Sequence, residues 1–171
     1  MDERLFSKIL VPVDYSPCSE EAFRVALSLA RVFQAEVLLL HVVDTKSLEA
    51  LNRLGLALPS EEARQKKRLR HSARLNMRRL MRSDAAKGVA IWRSVREGTP
   101  FVEIARMART EKVDLIVMGS YSGQSGSVEK MFFGSTAEKV VRTVGCPVLT
   151  VPLPTPLPSA AREHAMRLKE E

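Results

Sequence analysis

Aromatic residues are scarce in this chain: one tryptophan, two tyrosines and six phenylalanines make up 5% of its 171 residues. None of them interrupts the basic stretch between Arg64 and Arg82, so no stacking platform for single-stranded bases is expected there. Cysteine and histidine are equally sparse, at two and three residues, and no Cys or His pair stands at ligand spacing. That excludes a zinc cluster, and no metal ligands are assigned. His41 lies in an apolar strand, and His71 and His164 lie in a basic helix and a tail, so no Ser-His-Asp or Cys-His set can be drawn. No apolar run approaches the roughly 20 residues that cross a bilayer. Met1 to Ser7 holds two acids and no signal-like apolar core, so a cytoplasmic protein without a membrane span is expected. Cys18 follows the first strand and Cys146 precedes the last, at opposite ends of a sheet. Strands of about 17 to 20 Å keep them far beyond the roughly 4.4 to 6.8 Å that a disulfide tolerates. Cys18, near a helix N-terminus, reads either as a redox-active thiol or as a quiet one, with no His or Lys close in sequence to activate it.

What is present is apolar sequence in short, punctuated runs. With 45% hydrophobic residues over 171 positions the chain can bury one core and is too short for two, so one domain is expected. Lys8 to Val13 (KILVPV) and Glu36 to Val43 (EVLLLHVV) read as strands covered on both faces. Between them Ser16 caps, and Pro17 opens, a helix whose stripe is Ala22, Phe23, Ala26, Ala30 and Phe33. An irregular connection from Asp44 to Pro59 leads to Ser60, the cap of a long helix that Gly88 ends, and Val89 to Val95 supplies the third strand. Gly98, Thr99 and Pro100 start the next helix, with Phe101, Ile104, Ala105 and Ala108 on its face. Asp114 to Met118 is the fourth strand and Val148 to Val151 the last. Strict alternation of strand and helix makes this an α/β fold, an open parallel sheet with helices on both faces. Ligands in such folds sit beyond the carboxyl ends of the strands, where strand order reverses.

The richest chemistry lies between Val113 and Val144. Gly119 ends the fourth strand, and Ser120 to Ser127 holds Gly123, Gly126 and four serines, a composition that lets backbone N–H groups turn inward. After Gly134 a helix carries Ala137, Val140, Val141 and Val144 on one face, which puts the N–H groups of Ser135 and Thr136 at its positive end. This is a phosphate-binding layout. The same residues admit a ligand-free reading, because Ser135 and Glu138 make an S-x-x-E capping box. No lysine follows Gly134, so this is not a Walker loop and lacks the residue that promotes transfer of terminal phosphates. Asp14, at the end of the first strand, reads as an acceptor for a ribose hydroxyl or an adenine amine, or as a turn acid capping the first helix.

Taken together, Ile9 to Ser19 (ILVPVDYSPCS), Leu38 to Val43 (LLLHVV), Gly98 to Glu103 (GTPFVE), Asp114 to Gly119 (DLIVMG), Gly134 to Val141 (GSTAEKVV) and Cys146 to Val151 (CPVLTV) resemble a universal stress protein domain. The likeness spans residues 5–152, leaving 153–171 as a Pro-rich linker and a short helical tail. The resemblance implies a Rossmann-like, five-stranded parallel sheet of order 3-2-1-4-5 and homodimers formed through the last strand, Val148, Leu149, Thr150 and Val151. It also implies ATP, arriving with Mg2+ if any ion is involved, in a stress sensor or switch. Carried over by position, adenine or ribose contacts fall to Asp14, the backbone of Val13 and Val42, with Pro12 and Met118 also in the binding set. Phosphate contacts fall to Gly119, Gly123, Gly134, Ser135 and Thr136. Family members that bind ATP carry G-2x-G-9x-G-(S/T) after strand four. This chain departs from that pattern, with fourteen residues rather than twelve between Gly119 and Gly134. No efficient enzyme is expected; the analogy extends at most to slow ATP hydrolysis or autophosphorylation of a loop Ser or Thr, for which no base is visible.

The net charge of +7 is concentrated. Nine basic residues and no acid lie between Arg64 and Arg82, which leaves the rest of the chain net negative. Leu69, Ala73, Met77 and Leu80 share one face of that helix and arginines take most of the remainder. The basic face reads as a solvated exterior or as an anion-binding surface. The latter supports a second function, a dimeric interaction module that binds no nucleotide and acts on an acidic partner or nucleic acid. Beyond Val151 the PLPTPLP segment reads as a stiff linker, and Ser159 to Glu171 as a marginal helix that either docks on a partner subunit or frays.

Overall fold

Strand β1 (Lys8–Pro12) lies at the centre of the sheet, in parallel register with β2 (Glu36–Asp44) through Ile9 opposite Val37, and with β4 (Leu115–Gly119) through Ile9 opposite Leu115. Outside β2 runs β3 (Ile91–Gly98), and outside β4 runs β5 (Val148–Val151). The sheet is five-stranded and all parallel, of order β3-β2-β1-β4-β5. The structure is a computed structural model and describes residues 5–46, 54, 59–121 and 134–153.

Alternation along β1 divides the core. Ile9 and Val11 point into one apolar cluster with Phe23, Leu27, Met77 and Val117, whereas Leu10 points into another with Ile104, Met107, Ile116 and Val140. Helices α1 (Pro17–Phe33) and α2 (Pro59–Met81) cover the first face. Helices α3 (Pro100–Thr110) and α4 (Ser135–Thr143) cover the second. Strand order therefore reverses between β1 and β4, the switch point that the α/β reading required.

Several expectations are corrected. Helix α2 ends at Met81, well before Gly88, because the Ser83 hydroxyl donates to Leu80 O at 2.7 Å and a short 3-10 turn, Asp84–Ala86, follows. Gly88, at φ +77°, instead serves the turn into β3. That strand starts later than expected and runs on to Gly98, since the long β2 offers partners as far as Asp44. Leu69 is 41% exposed rather than buried, because only the C-terminal half of α2, through Ala73, Met77 and Leu80, lies against the sheet. Val141 is also solvent-exposed, whereas Ala137 and Val140 hold α4 to the core. Ser60 lies inside α2, which begins at Pro59. Both cysteines are free thiols. Most of the 44–58 connection, Gly123 with the rest of 122–133, and the 154–171 tail lie outside the described residues.

Candidate functional site

Above the carboxyl ends of β1, β2 and β4 opens a cavity of about 260 Å³. Its walls are Pro12 and Val13 at the end of β1, Leu40 and Val42 from β2, Met118 and Gly119 from β4, and Ile104 from α3. Polar groups gather on the rim: Asp14, Ser16, Ser19, Asp44, Ser120 and Thr136.

The turn after β1 is set by the sequence Asp14-Tyr15-Ser16-Pro17. Ser16 is the N-cap of α1, its hydroxyl oxygen accepting the Ser19 N–H at 3.2 Å, with Pro17 pre-set in the first turn. Asp14 is not that cap. Its Oδ1 accepts the Ser16 N–H at 3.0 Å in an Asx turn, and among the described residues its second carboxylate oxygen has no hydrogen-bond partner. Tyr15 sits at φ +65°, a conformation unusual for a bulky side chain. It is held by a hydroxyl bond to Ala73 O at 2.8 Å and by stacking on His41, with ring centroids 4.7 Å apart. Burial pushes the Tyr15 phenol well above its ordinary range.

His41 closes the back of this turn. Its Nδ1 lies 2.8 Å from Val13 O, and because a carbonyl only accepts, Nδ1 carries the hydrogen. Burial pulls the His41 pKa down, opposed by the Val13 carbonyl and the Asp14 charge. His41 thus lies within β2, three residues before its end, with Nδ1 bonded to the β1 side of the turn.

Gly119 lacks a side chain for a packing reason. A Cβ there would stand 3.1 Å from Cys18 C and Ser19 N, because the first turn of α1 presses on the end of β4. Nearby, Cys18 Sγ donates to Val151 O at 3.0 Å, and Ser120 N–H donates to the same carbonyl at 3.0 Å, tying α1, β4 and β5 together. The ends of the glycine loop are pinned as well, since Gly134 N–H donates to Ser120 O at 2.8 Å.

Helix α4 starts one residue earlier than a capping box on Ser135 and Glu138 needs. Gly134 is the N-cap, without a side-chain bond, and Ser135 is the first helical residue, so the S-x-x-E box does not form. The first-turn amides of Ser135, Thr136 and Ala137 accordingly have no intrahelical acceptor. Gly134, Thr136 and Ala137 line the cavity, whereas Ser135 is exposed and does not.

Of the residues singled out from sequence, the fold thus brings Pro12, Val13, Asp14, Val42, Met118, Gly119, Gly134 and Thr136 around one cavity. Asp44, Pro100, Ser120 and Tyr121 also line it and were missed. Their signal was positional: Asp44 ends β2, Ser120 and Tyr121 follow β4, and Pro100 opens α3. Among the described residues no Lys or Arg lines the cavity, and no group of three or more metal-ligating side chains exists.

An open, doubly wound α/β sheet with its crevice at the β1/β4 crossover is the class of domain that this fold and site define. The model of the universal stress protein family matches residues 5–152, and the chain belongs to that family. It is 34% identical over 154 residues to universal stress protein MJ0531 of Methanocaldococcus jannaschii, covering 89% of this chain and 85% of the relative. The solved structure of MJ0577 superposes with a TM-score of 0.73 at 27% identity, over 89% of this chain and 99% of that one. The same fold is seen in a universal stress protein in complex with cAMP (TM-score 0.54, 20% identity, 85% and 96% covered) and in one from Archaeoglobus fulgidus in complex with dAMP (0.54, 21%, 86% and 98%).

Proposed function

We propose that this chain binds an adenine nucleotide, ATP with Mg2+, in the β1/β4 crevice, and that it serves as a cytoplasmic stress sensor or switch. The observation that carries the reading is the chemistry of the cavity: apolar walls from Val42, Ile104 and Met118, a carboxylate oxygen of Asp14 without a protein partner, and the start of α4 at its rim. Those walls suit a purine, Asp14 suits a ribose hydroxyl or an adenine amine, and the α4 amides with the Thr136 hydroxyl suit phosphate oxygens. With no Lys or Arg among the described lining residues, Mg2+ would supply the positive charge that a triphosphate needs. Relatives solved with cAMP and dAMP support the nucleotide class. The longer loop is compatible with the site because the Gly134 N–H bond to Ser120 O holds its two ends together at the cavity.

We place a homodimer contact at β5. Among the described residues this edge strand pairs only with β4, and Leu149 is 39% exposed, a short apolar edge of the kind that proteins cover.

The test is a calorimetric titration of ATP with Mg2+ into nucleotide-free protein, with AMP as control. Micromolar binding that weakens when the β and γ phosphates are absent is expected. Gly134 sits at φ −60° and ψ 145°, which any residue adopts, so Gly134→Val should fold and lose at least tenfold in affinity as its Cβ blocks the phosphate approach. Absence of heat, or full affinity in folded Gly134→Val, would overturn the assignment.

A further inference from the structure

We propose that the outward face of α2 binds the phosphate backbone of duplex nucleic acid. The apolar stripe of α2 is already committed, with Ala73, Met77 and Leu80 buried against the sheet. At about 3.6 residues per turn, Arg64, Lys67, Arg68 and Arg78 fall on the opposite side and Arg74 on the adjoining flank, about 100° from Ala73. All five are exposed, and none makes an ion pair among the described residues. Their neighbours Arg70 and Arg79 are different, since they pair with Glu97 and Glu20. Arg64–Arg68 and Arg74–Arg78 are like charges one turn apart, an arrangement that opposes the helix unless an anion lies over it.

The occupant follows from what the face has and lacks. From Arg64 to Arg78 the helix axis runs about 21 Å, and a duplex alongside presents a negative charge about every 1.7 Å. Four of the five cations are arginines, whose planar fork matches phosphate oxygens. No aromatic stands on the face to stack unpaired bases, so the contact is to backbone and independent of base sequence. Leu75, 48% exposed, is the one large apolar residue among these cations, too little to insert into a lipid surface or to form the apolar centre of a protein interface. The surface lies on the face of the sheet away from α3 and α4, and its reading does not depend on nucleotide in the crevice.

The test uses the full chain and a fluorescently labelled duplex of about 20 base pairs in two unrelated sequences, read by anisotropy. Five neutralised phosphates give a log–log salt slope of about −4.5, so affinity should fall by about 10² to 10³ between 50 and 200 mM salt, equally for both sequences. Arg74→Gln/Arg78→Gln should shallow the slope by about 1.8 and weaken binding at least tenfold at 100 mM salt. Arg93→Gln/Arg109→Gln, an equal change in charge at exposed positions elsewhere, should leave both within twofold. Circular dichroism confirms that each pair folds. Equal loss in the two pairs, or no binding at 50 mM salt, would overturn the proposal. So would binding confined to phosphatidylserine vesicles, or competition by polyglutamate as strong as by unlabelled duplex at equal charge, which would make the partner a lipid surface or an acidic protein.

Discussion

Tyr15 and His41 illustrate how single residues shape the rim of the crevice. The left-handed turn at Tyr15 is sustained by its bond to Ala73 O and its stack on His41, whose own Nδ1–H is taken by Val13 O. Because burial holds the His41 pKa below its ordinary value of about 6.5, the unfolded chain takes up a proton that the native state refuses. The stability tied to neutral His41 is thus fully present above about pH 6.5 and declines as pH falls toward the lower folded value. His41→Gln should flatten that part of the profile in urea denaturation between pH 5 and 7.5; an unchanged profile would show that other groups dominate. Gly119→Ala should destabilise by about 1 to 3 kcal/mol, since its Cβ meets the α1 backbone at 3.1 Å rather than a yielding side chain. Chemical denaturation measures it, and a loss within about 0.5 kcal/mol would mean that α1 shifts freely. From sequence Gly119 was legible as a strand terminator. Its packing against Cys18 and Ser19 was not, because those residues are a hundred positions away in the chain and meet it only in the sheet.

Elements were legible to the extent that their residues are buried on a regular period. Strands β1, β2, β4 and β5 and helix α1 follow their apolar runs and caps closely. Edge strand β3 does not, since its pattern mixes exposed Trp92, Arg93 and Glu97 with half-buried neighbours and its length is set by β2 beside it. Helix α2 shows the same limit. Periodicity put Leu69 on the buried face, yet the sheet supports only the residues from Ala73 onward. Met77→Ala should therefore cost about 2 to 5 kcal/mol and Leu69→Ala no more than about 0.5, a contrast that paired thermal melts would reveal. Equal losses would place the whole helix against the core.

For the whole molecule, order 3-2-1-4-5 leaves β3 and β5 as open edges and gathers the strand ends at one crevice. If β5 forms the dimer contact, sedimentation should find a dimer, and Leu149→Lys should release monomers with an unchanged far-UV spectrum. A wild-type monomer at tens of micromolar would refute it. The sequence by itself determined the alternation of strands and helices, the capped turn after β1, the glycine-closed segment from Gly119 to Gly134 and the charge on α2. These are local matters of period, cap and backbone freedom. Only the tertiary structure decided that Asp14, Asp44, Pro100 and Thr136 share one cavity, that Gly134 rather than Ser135 caps α4, and which cations of α2 remain unpaired. Those depend on which distant segments the parallel sheet sets side by side, and residue spacing along a chain carries no direct record of that.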